Sequence, residues 1–159
     1  MPPPSFHNAL VQNIVAGNTA TLNPSALEAL RAGGVPDVPY HDWWIYLRLS
    51  GVGARITLDS EPVLFYRQHN GNVIGAHTGL RAALIRAGAL LGGQYRDWVH
   101  ANLTALLAHP TGLTPDFASD ARTLLTMNPR LRALRQSRAR RSGRVGQILL
   151  QILAVIRRI

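Results

Sequence analysis

The pattern of apolar and polar residues changes about halfway along the chain. Up to about residue 76, short apolar runs containing β-branched residues alternate with glycine- and proline-rich breaks. Runs of this length and composition, bounded by turn residues, are typical of strands. We therefore predict one small mixed sheet, with strands over residues 15–22, 54–58 and 62–66.

Helical signals are also present in this first part. Asn23 followed by Pro24 opens an apolar run that ends at two adjacent glycines, which predicts a helix with proline in its first turn. A second helix is predicted over residues 41–49, where Trp43 and Trp44 are adjacent. We expect this second helix to pack on the sheet.

Beyond residue 77 the apolar spacing is helical throughout, and Gly-Gly, His-Pro and Ser-Gly pairs separate the segments. The predicted fold class is therefore α/β, with a mixed sheet in residues 1–76 and a helical appendage in residues 77–159. The appendage is predicted to hold helices over residues 80–91, 95–108, 115–126, 129–139 and 147–158.

Composition narrows the classes of protein to which the chain belongs. A hydrophobic fraction of 47% suffices for a packed core. The sequence has no cysteine, which excludes disulfides, thiolate metal sites and a cysteine nucleophile. The first residues show no basic segment followed by an apolar one, so we expect no signal peptide and a cytoplasmic location.

Charge is concentrated at the end of the chain. The net charge is +9, and from residue 130 onward there are nine arginines and no acidic residue, whereas the rest of the chain is formally neutral. A body without net charge predicts no nucleic-acid partner. RNA binding by the basic tail is disfavoured because no aromatic residues are interleaved to stack on bases.

Several segments in order resemble bacterial family 2 glycosyltransferases of the rhamnosyltransferase-like group. They are His41-Asp42-Trp43-Trp44, Asp59-Ser60-Glu61-Pro62 and the run from Tyr66 to Ala76, preceded by a similar segment at residues 12–19. The resemblance covers roughly residues 5–76. It implies part of an A-type nucleotide-diphospho-sugar transferase fold and transfer of a hexosyl or rhamnosyl group with inversion, in the synthesis of cell-surface polysaccharide.

The resemblance gives Asp42 the role of catalytic base. Inverting transfer needs a carboxylate that takes the proton of the acceptor hydroxyl while the sugar leaves its diphosphate. A structural alternative is that Asp42 caps the helix that starts beside it. The two roles are compatible.

The polar loop after residue 66 is implied to bind the diphosphate of the donor, through Arg67, Gln68 and His69. A guanidinium offers a planar set of donors that suits phosphate, and His69 is also a candidate ligand of a divalent metal such as Mg²⁺ or Mn²⁺. The alternative is an ordinary polar loop with a surface ion pair.

Acceptor binding is assigned to Trp43 and Trp44, whose rings could stack on a sugar, and to Asn18 and Thr19. For the tryptophans the alternative is an apolar anchor in the core, and we expect one of them to be core. For residues 17–19 the alternative is a plain bend in a strand.

Two features expected of a complete family member are not found. These are the βαβ nucleotide-binding unit and an acidic Asp-x-Asp metal motif. The chain therefore corresponds to the acceptor-side half, and its predicted partners are a nucleotide-sugar donor, a glycan or lipid-linked acceptor and the missing N-terminal half. Whether this chain is active by itself is left open.

The arginine-rich tail supports a second hypothesis, in which the chain is a catalytically inactive module that binds a membrane or a partner protein. Its last helix, too short to span a bilayer, is apolar on most faces and flanked by arginines. It suits the anionic inner face of the cytoplasmic membrane. Packing of this helix on the chain's own helices is the alternative.

Overall fold

The structure is a computed structural model that describes residues 3–59, 61–62, 88 and 91–159. Within these residues the chain forms seven helices and no strand. A short 3-10 turn, Gly17–Thr19, lies between the first two helices. The helices are α1 (Phe6–Ala9), α2 (Pro24–Ala32), α3 (His41–Gly51), α4 (Gln94–Ala108), α5 (Pro115–Thr126), α6 (Arg130–Gln136) and α7 (Arg144–Val155).

The predicted α/β fold class is wrong for the described part of the chain. Residues 15–22 contain the 3-10 turn and no strand, and residues 54–58 are irregular. Of the predicted strand over residues 62–66, only residue 62 lies within the described residues. Alternating short segments favour extended backbone, but a strand forms only where another strand satisfies its N–H and C=O groups. The predictions of a partial A-type sheet and of a second helix packed on it are therefore also wrong for the described residues.

Several helices begin at residues whose local chemistry favours a helix start. The Asn23 side chain accepts a hydrogen bond from the Ala26 N–H at 2.8 Å, and Pro24 occupies the first position of α2. Pro115 has the same place in α5. Gly93 and Gly143, which precede α4 and α7, have φ angles of +95° and +78° that other residues rarely adopt.

One apolar core joins the N-terminal segments to the C-terminal helices. Helix α3 packs on α1, α2 and α4, while α5 packs on α4 and α6, and α6 packs on α7. The boundary predicted at residue 76 itself falls outside the described residues. The core includes Phe6, Leu10, Trp43, Tyr46, Leu47, Leu103, Leu106, Leu124, Leu134, Leu150 and Leu153.

Polar contacts also tie the start of the chain to its end. The buried Asn8 side chain donates to the Arg140 carbonyl at 3.1 Å, and the Ser142 N–H donates to Gln12 Oε1 at 2.7 Å. These contacts hold the loop before α7 against the N-terminal segment. Across the described helices, none combines the length and apolar character that crossing a bilayer requires.

Candidate functional site

The start of α3 is fixed by aromatic residues that place its first two residues at the surface. The indole Nε1 of Trp43 donates to the Ala9 carbonyl at 2.7 Å, which ties the first turn of α3 to α1. Tyr40, just before the helix, contacts Trp98 of α4 edge-to-face with centroids 4.9 Å apart. Held on both sides, α3 presents an exposed His41 and a half-buried Asp42.

Asp42 is the second residue of α3, and Tyr40 occupies the N-cap position without a side-chain hydrogen bond. Asp42 Oδ1 accepts a hydrogen bond from the Trp43 N–H at 2.8 Å. It thus satisfies one of the unpaired N–H groups in the first turn, where the helix dipole also favours negative charge. Burial, and then the negative charge of Asp42, raise the pKa of Tyr40, so the phenol stays neutral beside the carboxylate.

The 3-10 turn packs on the His41 ring and on the Cβ of Asp42. An ideal Cβ built on Gly17 would lie 2.7 Å from His41 Nε2 and 3.4 Å from Asp42 Cβ. Only glycine leaves room for this approach without moving His41. Asn18 and Thr19 follow in the same turn and are exposed.

The structure therefore brings three sequence-predicted residues, Asn18, Thr19 and Asp42, to one corner of the molecule. We call Gly17, Asn18, Thr19, His41 and Asp42 the α3 corner. The N-terminus of a helix, a carboxylate and exposed polar side chains are groups that can bind hydroxyls. A half-buried carboxylate in such a place can accept a proton from a hydroxyl within hydrogen-bond reach.

Both tryptophans of the predicted acceptor site lie in the core. Trp43 is 4% exposed and Trp44 is 6% exposed, and the Trp43 ring lies near-parallel to Tyr95 with centroids 6.5 Å apart. In this arrangement they support the start of α3 from within. Their predicted contact with an acceptor sugar stays a prediction.

The predicted donor loop is not part of the described structure. Arg67, Gln68 and His69 fall outside the described residues, so their diphosphate-binding role and the metal role of His69 stay predictions. Among the residues that are described, no group of three His, Asp or Glu side chains is placed to hold a metal ion.

Sequence reasoning missed Arg48, whose side chain is the largest fully buried one among the described residues. Its Nε donates to the Ala29 carbonyl at 3.2 Å, one terminal nitrogen donates to the His109 carbonyl at 3.0 Å and the other to the Thr111 carbonyl. Burial lowers the pKa of its guanidinium. Arg48 thus fastens α3 to α2 and to the loop before α5. Its place between Leu47 and Leu49 in an apolar helix was the available signal.

A second unpredicted cluster fixes the N-terminal segment. Asp120 of α5, 8% exposed, contacts His7 Nε2 at 2.9 Å and accepts a hydrogen bond from the Arg138 guanidinium at 2.6 Å. The ring of His7 also meets Phe117 edge-to-face. This cluster links α1, α5 and the end of α6 and has a structural role.

Comparison with known proteins gives one partial relative. Over 63 residues the chain is 32% identical to the dTDP-rhamnosyl transferase RfbG of Shigella flexneri. The aligned region takes 40% of this chain and 22% of the relative's length. No family model and no solved structure matches the chain. The chain therefore bears a distant, partial resemblance to a rhamnosyltransferase.

Proposed function

We propose that this chain supplies the acceptor side of a rhamnosyltransferase-like family 2 glycosyltransferase, with Asp42 as the catalytic base. The observation that carries the proposal is the α3 corner. Two segments that resemble the acceptor side of such enzymes, residues 12–19 and 41–44, are separated in sequence by α2 yet meet there, with Gly17 packed on His41 and Asp42.

The proposed reaction uses a nucleoside diphosphate sugar, and dTDP-rhamnose is the first candidate because the partial relative is a dTDP-rhamnosyl transferase. The Asp42 carboxylate takes the proton of an acceptor hydroxyl as that oxygen bonds to the anomeric carbon. The bond from the same carbon to the diphosphate oxygen breaks, and the nucleoside diphosphate leaves with the electron pair. Attack opposite the leaving group inverts the anomeric carbon.

Asn18 and Thr19 are proposed to orient the acceptor, a glycan or a lipid-linked saccharide, beside Asp42. Arg67, Gln68 and His69 are proposed to bind the diphosphate, where donors lower the energy of the developing negative charge. A divalent metal held partly by His69 belongs to the same proposal.

The test is rhamnosyl transfer in extracts of cells that express the chain joined to the nucleotide-binding N-terminal half of a rhamnosyltransferase, measured as label transferred from dTDP-rhamnose to glycan. Asp42→Asn is expected to lower transfer by about 100-fold or more, as for loss of a positioned base. Its side-chain oxygen can still accept the Trp43 N–H, so α3 is expected to stay folded, which circular dichroism would check.

Asp37→Asn is the matched control, because Asp37 is an exposed carboxylate in the loop before α3. It is expected to leave transfer unchanged. Full transfer by Asp42→Asn would refute the base role. If neither dTDP-rhamnose nor other nucleotide-sugars label glycan in a manner dependent on the protein, the transferase proposal fails and the inactive binding module is favoured.

A further inference from the structure

Helix α7 has an apolar face toward the core and a second apolar face toward solvent. Leu150, Leu153 and Ala154 are buried against the other helices. The apolar side chains on the outer face are accessible to solvent, although large apolar side chains are more often buried. They are Val145 at 82% exposure, Ile148 at 55%, Ile152 at 51%, Val155 at 66% and Ile156 at 43%.

These five residues form one continuous surface, which we call the α7 stripe. Spacings of three and four residues place side chains on the same face of a helix, so Val145, Ile148, Ile152 and Val155 follow one another along α7. Single exposed apolar residues are common on protein surfaces, but an aligned set marks an interaction surface.

Several of the nine C-terminal arginines make contacts within the fold. Arg130 donates to two carbonyls at the end of α5, at 3.0 Å each. Arg138 pairs with Asp120. Arg141 lies over the ring of Tyr95, 5.6 Å from its centroid. These arginines have structural roles and are not counted in the surface charge considered next.

Five other arginines of the same region are exposed, and two of them lie close to the stripe. Arg144 is the first residue of α7, and Arg135 of α6 lines a cleft of about 170 Å³ that Gln147 and Gln151 of α7 also line. The exposed set consists of Arg132, Arg135, Arg140, Arg144 and Arg157.

We propose that the α7 stripe binds the surface of a bilayer that carries anionic lipids. Helix α7 has 12 residues, a length that suits a helix lying in the plane of the interface rather than across the membrane. The stripe enters the boundary between headgroups and acyl chains, and the exposed arginines contact lipid phosphates.

The charge around the stripe favours an anionic bilayer over a second copy of the chain as the partner. Residues 130–159 contain no acidic side chain, so two stripes packed together would bring arginines near arginines. Like charges at short distance oppose such an association. A surface of phosphate groups provides the opposite charge that the exposed arginines require.

The experiment is co-sedimentation of the purified chain with vesicles of phosphatidylcholine alone and of phosphatidylcholine mixed equally with phosphatidylglycerol. Binding is expected only to the mixed vesicles. It is expected to weaken at high salt, because the Debye length falls from about 10 Å at 0.1 M to about 3 Å at 1 M.

Two variants separate the apolar and the charge contributions. Ile148→Ser combined with Ile152→Ser is expected to weaken binding at least tenfold. The control is Val35→Ser, since Val35 is a fully exposed apolar residue in the loop between α2 and α3. Because the altered side chains are exposed, circular dichroism of both variants is expected to match the parent.

For charge, Arg135→Gln with Arg144→Gln is expected to weaken binding about 25-fold, at about fivefold for each arginine. The matched control, Arg31→Gln with Arg55→Gln, removes two exposed arginines outside the tail and is expected to retain binding. Equal binding to both vesicle types, no binding at all, or loss of binding equal in the variants and their controls would overturn the proposal. If the parent chain forms dimers in the absence of lipid and the double serine variant does not, the stripe would instead be the binding surface for a second copy of the chain.

Discussion

Replacing Arg48 with methionine is expected to destabilise the chain by about 3 kcal/mol. Its guanidinium is fully buried and donates three hydrogen bonds to backbone carbonyls. A hydrogen bond involving a charged group contributes about 1.5–3 kcal/mol, so three could supply more. Two effects reduce the sum: the guanidinium no longer has to be desolvated, and water can reach the carbonyl of the exposed Thr111. Methionine keeps most of the apolar stem.

Equilibrium unfolding in urea measures this loss. A change of about 3 kcal/mol moves the midpoint down by roughly 1–3 M at the usual dependence on urea. The midpoint of Arg48→Lys is expected to lie between those of the parent and Arg48→Met, because an ammonium on a shorter, unforked side chain cannot reach three carbonyls at once. Arg31→Met is the control, since Arg31 of α2 is exposed and its replacement should cost less than about 0.5 kcal/mol.

A parent-like or higher midpoint for Arg48→Met would refute the reasoning. It would mean that desolvating the guanidinium costs as much free energy as its three hydrogen bonds return. A change in the slope of the transition, without a lower midpoint, would instead place the effect in the unfolded state.

Glycine-to-alanine substitutions at two positions should differ in cost. A Cβ on Gly33 would lie 2.5 Å from Nε of the buried Arg48, so Gly33→Ala is expected to lower the free energy of unfolding in urea by about 1–3 kcal/mol. Gly17→Ala displaces only the exposed His41 ring and should lower it by less than about 1 kcal/mol. Equal losses would contradict this reasoning. Burial raises the pKa of Tyr95 to about 12 from about 10, so the stability that the neutral phenol provides should fall as pH rises from about 10 to about 12. Tyrosinate absorbance and urea unfolding would show this, and a Tyr95→Phe variant that keeps the same dependence would argue against it.

The α3 corner could be predicted only in part. The sequence singled out Asn18, Thr19 and Asp42 from local motifs, and the structure places them together. The sequence alone did not predict that Gly17 packs on His41, because that contact depends on how the chain returns through α2 to the start of α3. The burial of Trp43 and Trp44 was left open between a sugar-binding surface and the core. Whether a side chain at a helix start faces solvent or the core is decided only when the neighbouring helices have packed against that helix.

Local sequence determined most of the helices. Proline in the first turn predicted the starts of α2 and α5, and Gly-Gly or His-Pro pairs predicted ends of α2 and α4. The predicted bounds lie within a residue or two of the observed ones, because those signals act within one helical turn. The helix predicted over residues 147–158 forms over Arg144–Val155. The helix predicted over residues 80–91 lies almost entirely outside the described part.

Tertiary structure decided what the local pattern could not. Residues 15–22 and 54–58 have strand-like alternation, but a strand needs a partner strand for its backbone groups, and the described residues contain no strand. Helix α7 is apolar on most faces in sequence, and only packing decided that Leu150 and Leu153 are buried while Ile148 and Ile152 are exposed. The sequence determines how much apolar surface a helix carries, whereas the position of its neighbours determines which part of that surface meets water.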